Sequence, residues 1–192
     1  PAKLKSLDEL AHNVWWSWNS DAKKLFQGID PTLWSSTGEN PVLLLQKLSL
    51  ERCQELAKDT EFLSKLNEVY KNFKDHMKKP LRKDVPSVSY FSMEYGLCSA
   101  LIYSGGLGVL AGDYIKEASD SCINMTAVGF MYRYGYFNQS LSMDGQQIAE
   151  YNAQNFNQIP VEQVLNEDGT PMILAVPYPG RNIYCNIWRV NV

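Results

Sequence analysis

At 192 residues the chain is long enough for one large domain or two small ones, and 45% apolar with 20% charged residues is the composition of an ordinary globular protein. A net charge of −3 gives no general attraction to nucleic acid or acidic membranes. No apolar run approaches the roughly 20 residues needed to cross a bilayer, and no charged-then-apolar leader opens the chain. Cys53, Cys98, Cys122 and Cys185 are scattered without a Cys-x-x-Cys pair, and His12 and His76 are the only histidines. No metal site is therefore expected, and the thiols read as reduced, in a cytoplasmic protein. The glycosylation-type triplets Asn124-Met-Thr126 and Asn138-Gln-Ser140 are read as chance matches.

Residues 6–79 carry a helical pattern nearly throughout. Ser6-Leu-Asp-Glu9 has the spacing of a capping box, with Glu9 reaching back to the Ser6 N–H. Leu7, Leu10, Ala11, Val14, Trp15 and Trp18 then mark one apolar face. Asp30-Pro31 and Asn40-Pro41 each place a capping side chain before a proline at the first helical position. They predict short helices ending near Ser36 and Leu48, with another starting near Ser49. A last helix is expected over residues 60–78, with Phe62, Leu63, Leu66, Val69, Tyr70 and Phe73 on one side, stopped by Lys79-Pro80. Trp15 and Trp18 are expected in the core, whereas Trp16, off the main face, is the candidate for contact with another domain. His12 has no partner at triad or metal spacing and reads as a surface or satisfied histidine.

Near residues 81–86 the helical pattern gives way to β-type residues. Residues 88–93 read as a strand, with Glu94 at its end, and residues 125–131 as a second. Between them Gly105, Gly106 and Gly108 open a helical run of Leu107, Leu110, Ala111, Tyr114, Ile115 and Ala118. A strand, crossover helix and strand form a right-handed parallel unit whose ligands sit at the carboxyl edge. Glu94 and the glycine loop should share that crevice. Glycines before a helix let the backbone approach a ligand, and the free N–H groups with the helix dipole suit a phosphate. A tight turn with close helix–sheet packing accounts for the same glycines, and the residues alone leave both open. The spacing is neither that of a P-loop nor that of the dinucleotide fingerprint. Gly112, a turn deeper, is expected to serve packing only, in a place where alanine has the better helix propensity.

Beyond Gly135 short strands and turns follow: strands over 148–151, 161–165, 172–176 and 183–190, with turn signals at Asp144-Gly145 and Asn166-Glu-Asp-Gly169. The run Tyr132-Arg-Tyr-Gly-Tyr-Phe-Asn-Gln139, with Tyr134 and Asn138, combines aromatic faces with amides. It suits either a polyhydroxylated ligand or aromatic cross-strand pairs.

Several motifs now stand in order: Tyr90-Phe-Ser-Met-Glu-Tyr-Gly96, Ile102-Tyr-Ser-Gly-Gly-Leu-Gly-Val-Leu-Ala-Gly-Asp113, Tyr132-Arg-Tyr-Gly-Tyr-Phe-Asn-Gln139 and Asp144-Gly-Gln146. Together they resemble the N-terminal part of the α-glucan (glycogen or maltodextrin) phosphorylases. The leader, with His12-Asn-Val-Trp-Trp-Ser-Trp-Asn19 and Gly38-Glu-Asn-Pro41, resembles the extra N-terminal domain of the shorter bacterial and archaeal type. The resemblance implies an α/β fold. A helical domain over 1–80 would precede, over 85–192, the start of a Rossmann-like lobe of the GT-B type with added strands. It implies a retaining transfer of α-1,4-glucosyl units to inorganic phosphate, giving glucose 1-phosphate, with pyridoxal phosphate as cofactor on a lysine of the C-terminal lobe. Gly105 and Gly106 match the family's glycine pair beside the substrate and cofactor phosphates, Leu107 a residue whose N–H faces the glucosyl unit, and Glu94 an acidic residue near the phosphate. Tyr134 and Asn138 are candidate sugar or structural contacts.

The resemblance also implies that the cofactor lysine, the catalytic histidine loop and the C-terminal phosphate clamp lie beyond Val192. No complete catalytic set is then expected within the chain, and it should be inactive alone. Partners implied are the α-1,4-glucan, phosphate, glucose 1-phosphate and a second copy of the chain, with neither nucleic acid nor membrane. Ser104 and Val109 depart from the longer phosphorylases, which carry Asn and a basic residue there. Two other readings stay open: a non-catalytic carbohydrate- or partner-binding module, and a nucleotide-sugar glucan synthase. The synthase ranks lower because Tyr103-Ser104 stand where such enzymes place a lysine.

Overall fold

Five capping side chains set the starts of helices in the computed structural model, which describes residues 1–97 and 104–192. Cys98 and the Ile102-Tyr103 lead-in to the glycine loop lie outside the described residues. The helices are α1 (Ser6–Ala11), α2 (Ser20–Ile29), α3 (Pro31–Ser36), α4 (Pro41–Lys47), α5 (Leu50–Leu56) and α6 (Thr60–Met77), with a 3-10 turn over Val14–Ser17 after α1. Asn19, Asp30, Asn40, Ser49 and Asp59 accept hydrogen bonds from the N–H groups of Ala22, Leu33, Leu43, Arg52 and Phe62 at 2.9–3.1 Å. Each satisfies a helix-start donor that would otherwise lack a partner. Pro31 and Pro41 occupy first-turn positions, where a missing N–H costs nothing.

Two expectations about this region are corrected. The capping box does not form: Lys5 is the cap residue of α1 and makes no side-chain cap bond. Glu9 instead accepts from the Tyr70 hydroxyl at 2.5 Å and the Lys74 ammonium at 2.8 Å, tying α1 to α6. Trp16 is wholly buried rather than turned toward another domain. Its ring lies edge-on to Phe26 and Trp34, with centroids 6.0 and 5.9 Å away, at the centre of the helical core. Trp18 makes the outward contact: its indole N–H donates to the Asp120 carboxylate at 3.2 Å. The reason is local. The helix ends at Ala11, and the following 3-10 turn changes the angular step from which the apolar face was projected.

The β-rich half begins with β1 (Val88–Phe91), which pairs in parallel with β2 (Met125–Val128). Helix α7 (Gly106–Asp120) lies between them in sequence. Ala111 and Ile115 of α7 are buried with Tyr95, Leu97 and Val14, so a residue of the helical region completes this second core. Close approach explains one glycine: a Cβ on Gly112 would lie 2.5 Å from the Gly96 carbonyl oxygen. Gly96 also donates its N–H to the Gly108 carbonyl at 2.6 Å. Gly112 does serve packing, as expected, but the contact leaves no room for alanine, and propensity does not decide there.

Three antiparallel pairs follow. β3 (Asn138–Leu141) pairs with β4 (Gln147–Glu150), and β6 (Ile173–Tyr178) with β7 (Arg181–Asn186). β5 (Glu162–Gln163) pairs with β8 (Trp188–Arg189). Gly145, Gly169 and Gly180 take positive φ near +80° in the turns, a conformation that glycine adopts freely. The strand expected over 183–190 is divided between β7 and β8, because its two ends pair with different partners. The two halves are tied by the Val14 N–H donating to the Asn191 carbonyl at 2.9 Å and the Asn40 side-chain amide donating to the Gln158 carbonyl at 2.6 Å. The architecture is thus mixed, helices followed by small sheets, with α/β character around β1, α7 and β2.

Candidate functional site

Parallel pairing of β1 and β2 directs both carboxyl ends to one edge, and the chain leaving β1 turns there through residues 92–96. The Ser92 hydroxyl donates to the Glu94 carbonyl at 2.8 Å and fixes that turn. It brings the Glu94 side chain to the start of α7. One carboxylate oxygen accepts from the Ser104 N–H at 2.8 Å and the Ser104 hydroxyl at 3.1 Å. The other accepts from the Gly108 N–H at 3.0 Å. A donor shared between Glu94 and the Gly105 carbonyl is ordinary at a helix start.

The glycine loop does present its backbone donors to an anion, and within the chain that anion is Glu94. The backbone N–H of Ser104 is the largest cause holding the Glu94 carboxyl below its ordinary value. The Ser104 hydroxyl and the Gly108 and Gly105 N–H groups add to it against partial desolvation. The carboxylate is therefore ionised at neutral pH and orients the loop through charge-assisted bonds.

Gly105, Gly106 and Leu107 are exposed beside this cluster, and a Cβ built at Gly105 or Gly106 meets nothing within 4 Å. The two glycines thus open onto free space, while Gly108 is buried and Gly112 is pressed against backbone. Glu94 and the glycine loop are brought together as the parallel unit requires. Tyr134 and Asn138 pair elsewhere. Tyr134 forms an isolated bridge with Ala153, and Asn138 pairs with Glu150 in β3–β4, both exposed. The aromatic run reaches the cluster through Tyr132, whose hydroxyl donates to the Met93 carbonyl at 3.4 Å. Ser104 and Gly108, which hold Glu94, were not singled out from sequence as its partners. The available signal was a serine directly before the glycine pair, with a carboxylate at the preceding strand end. Among the described residues no group of three or more His, Cys, Asp or Glu could hold a metal.

A family model described as a protein of unknown function (DUF3417) matches residues 1–101, just over half of the chain. Maltodextrin phosphorylase of Thermococcus litoralis is 40% identical over 200 residues, covering 100% of this chain and 24% of that protein. Glycogen phosphorylase of Aquifex aeolicus is 41% identical over 193 residues, 98% of this chain and 28% of that protein. Glycogen phosphorylase of Mycobacterium tuberculosis (strain H37Rv) is 39% identical over 206 residues, 100% and 24%. The chain thus spans about a quarter of the length of these curated relatives. The resemblance read from the ordered motifs is borne out: the chain belongs to the DUF3417 family, and along its whole length it matches glycogen and maltodextrin phosphorylases.

Proposed function

We propose that the chain is the N-terminal part of an α-1,4-glucan phosphorylase, a retaining glucosyltransferase that releases glucose 1-phosphate from glycogen or maltodextrin with inorganic phosphate. The observation that carries the reading is the loop at the carboxyl edge of β1 and β2, where helix-start amides already hold an anionic oxygen pair. Identity of 40% along the whole chain to a protein named for this activity supports it. In this reading residues 1–80 are a helical domain and residues 85–192 the start of a Rossmann-like lobe of the GT-B type. The protein works in the cytoplasm as a homo-oligomer.

Glu94 has a positioning role. It pins Ser104 and Gly108, so that Gly105, Gly106 and Leu107 face outward at the positive end of α7. A phosphate brought there approaches the first-turn N–H groups without meeting a β-carbon at either glycine. Pyridoxal phosphate fits this arrangement through its phosphate group, with Gly105 and Gly106 as the facing residues. When bound, that group supplies a proton donor and acceptor to the substrate phosphate. Its lysine is assigned to the portion of the relatives' length that this chain does not span. The ionised Glu94 also disfavours the most highly charged phosphate form nearby, which biases the site toward a protonated phosphate. A nucleotide-sugar synthase is disfavoured because the position before the glycine pair is Ser104, engaged with Glu94 and without positive charge for a diphosphate.

The test is release of glucose 1-phosphate from maltoheptaose by the full-length gene product. Release that requires inorganic phosphate and retains the α configuration is expected. Transfer from a nucleotide sugar without phosphate dependence would overturn the reading.

A further inference from the structure

Tyr95 stands between the two residues that grip the glycine loop. Glu94 before it holds Ser104 and Gly108, and Gly96 after it donates its N–H to the Gly108 carbonyl at 2.6 Å. The Glu94 side chain reaches the loop, whereas Tyr95 turns into the second core beside Leu97, Ala111 and Ile115 and is only 5% exposed.

The Tyr95 hydroxyl lies 3.0 Å from the Tyr90 carbonyl oxygen of β1 and 3.1 Å from the Val128 carbonyl oxygen at the end of β2, and donates its proton to this pair. One side chain thereby spans the carboxyl ends of both strands. Burial above all raises the pKa of the hydroxyl, so it stays a donor across the neutral range. The ring fits closely at the end of β2: a Cβ on Gly129 would lie 2.6 Å from Tyr95 Cε2 and 2.6 Å from the Ser92 carbonyl oxygen. Tyr90 stands edge-on to the ring, with centroids 6.1 Å apart, and itself meets Tyr114 of α7 at 5.1 Å.

Where Glu94 meets the loop is set by the backbone of residues 92–96. Ser92 fastens the start of that turn, with its hydroxyl donating to the Glu94 carbonyl at 2.8 Å and its N–H to the Val128 carbonyl at 3.1 Å. Tyr95 fastens the end, one peptide bond from Glu94. The Glu94 carboxylate accepts its loop donors at 2.8–3.1 Å. Bonds of that length weaken steeply once the donor angle opens, so a small shift of the turn costs the Glu94 contacts.

We infer that Tyr95 is a positioning residue for phosphate handling: its hydroxyl clamps the two strand ends and so holds Glu94 where it orders the glycine loop. The identity of the ligand rests on the phosphorylase reading. Buried beneath the turn, Tyr95 acts through Glu94 and not on the ligand.

The test is a double-mutant cycle in the full-length gene product, with Tyr95→Phe, Glu94→Gln and the double variant, read as the KM for phosphate and for maltoheptaose. Tyr95→Phe keeps the ring and loses only the hydroxyl. Its phosphate KM should rise about fivefold, the size of one net hydrogen bond, with the maltoheptaose KM unchanged. In the Glu94→Gln background the same change should add little, because the group it acts through has lost its charge-assisted bonds. An unchanged phosphate KM overturns the inference. So does the same factor in both backgrounds, which would mark a contribution to the fold independent of Glu94. A second arm does not depend on activity and follows urea midpoints of the chain on acidification from pH 5. Tyr95→Phe should flatten the decline as Glu94→Gln does, and a decline as steep as that of wild type overturns the inference even where the enzyme is active. Absence of phosphate-dependent release by wild type would overturn the phosphorylase reading, and with it the phosphate role, while the urea arm still decides the clamp.

Discussion

Gly96 and Gly112 meet backbone to backbone, with a would-be Gly112 Cβ 2.5 Å from the Gly96 oxygen and nothing flexible to yield. Gly112→Ala should therefore destabilise the chain by about 1–3 kcal/mol, the usual range for forced overpacking. Gly106→Ala should leave the melting temperature unchanged, since its Cβ enters open space. Thermal denaturation of the two variants checks this pair, and an unchanged Gly112→Ala melting temperature would refute the contact. Glu94 gives a pH prediction. Its folded pKa is depressed below 4.5, mainly by the Ser104 N–H, so its contribution is present above pH 4.5 and lost as pH falls through the folded value. Glu94→Gln has no such titration. Urea midpoints should fall less steeply for Glu94→Gln than for wild type on acidification from pH 5. Parallel acid limbs would rule out the Glu94 bonds as the cause.

At the scale of elements, the caps differ in what else they do. Asp30 serves α3 alone, whereas Asn40 caps α4 through its oxygen and donates its amide to Gln158, 118 residues away. Asp30→Ala should cost about 1 kcal/mol, and Asn40→Ala about 1 kcal/mol more for the tether. Chemical denaturation checks the order, and equal losses would contradict the tether. The junction of α6 with α7 titrates through His76, whose pKa is lowered first by burial and then by Lys79. The unfolded chain then binds a proton that the folded chain refuses. Stability should decline as pH falls from about 6.5 toward the folded pKa, and His76→Gln should flatten that decline. Caps of the Asp30-Pro31 kind were legible because donor and acceptor lie three residues apart. The box at Ser6 was misread because Glu9 is claimed by Tyr70 and Lys74 from α6, which local spacing does not reveal. Trp16 turns into the core because a 3-10 turn interrupts the helical period, while Trp18 packs against the core as expected and also reaches Asp120. Glu94 and the loop were legible as neighbours from parallel-strand topology. Their direct bonding was not, since it depends on how residues 92–96 turn.

Across the whole molecule the apolar surface is uneven. The helical region buries most of its large apolar side chains, Leu50 being exposed, whereas Leu107, Val109, Leu110 and Tyr114 on α7 and Ile173, Leu174 and Tyr184 on β6–β7 are exposed. Such patches and short unpaired strand edges favour association. Light scattering across micromolar concentrations should show a dimer or larger species, and a monodisperse monomer would count against it. Alone, the chain should retain no pyridoxal phosphate after desalting, because a stable imine requires a lysine held in a pocket with a partner for the ring. A borohydride-reducible chromophore on one lysine would contradict that. In the proposed phosphorylase the Gly105–Gly108 loop, held by Glu94, faces the reacting phosphate. The most direct measurement of this is the phosphorolysis rate and phosphate KM of Gly106→Ala in the full-length gene product. A fall in turnover on the order of 10²–10³-fold, typical of a displaced charge-stabilising donor, is expected at unchanged melting temperature. Near-normal turnover with a normal phosphate KM would contradict it.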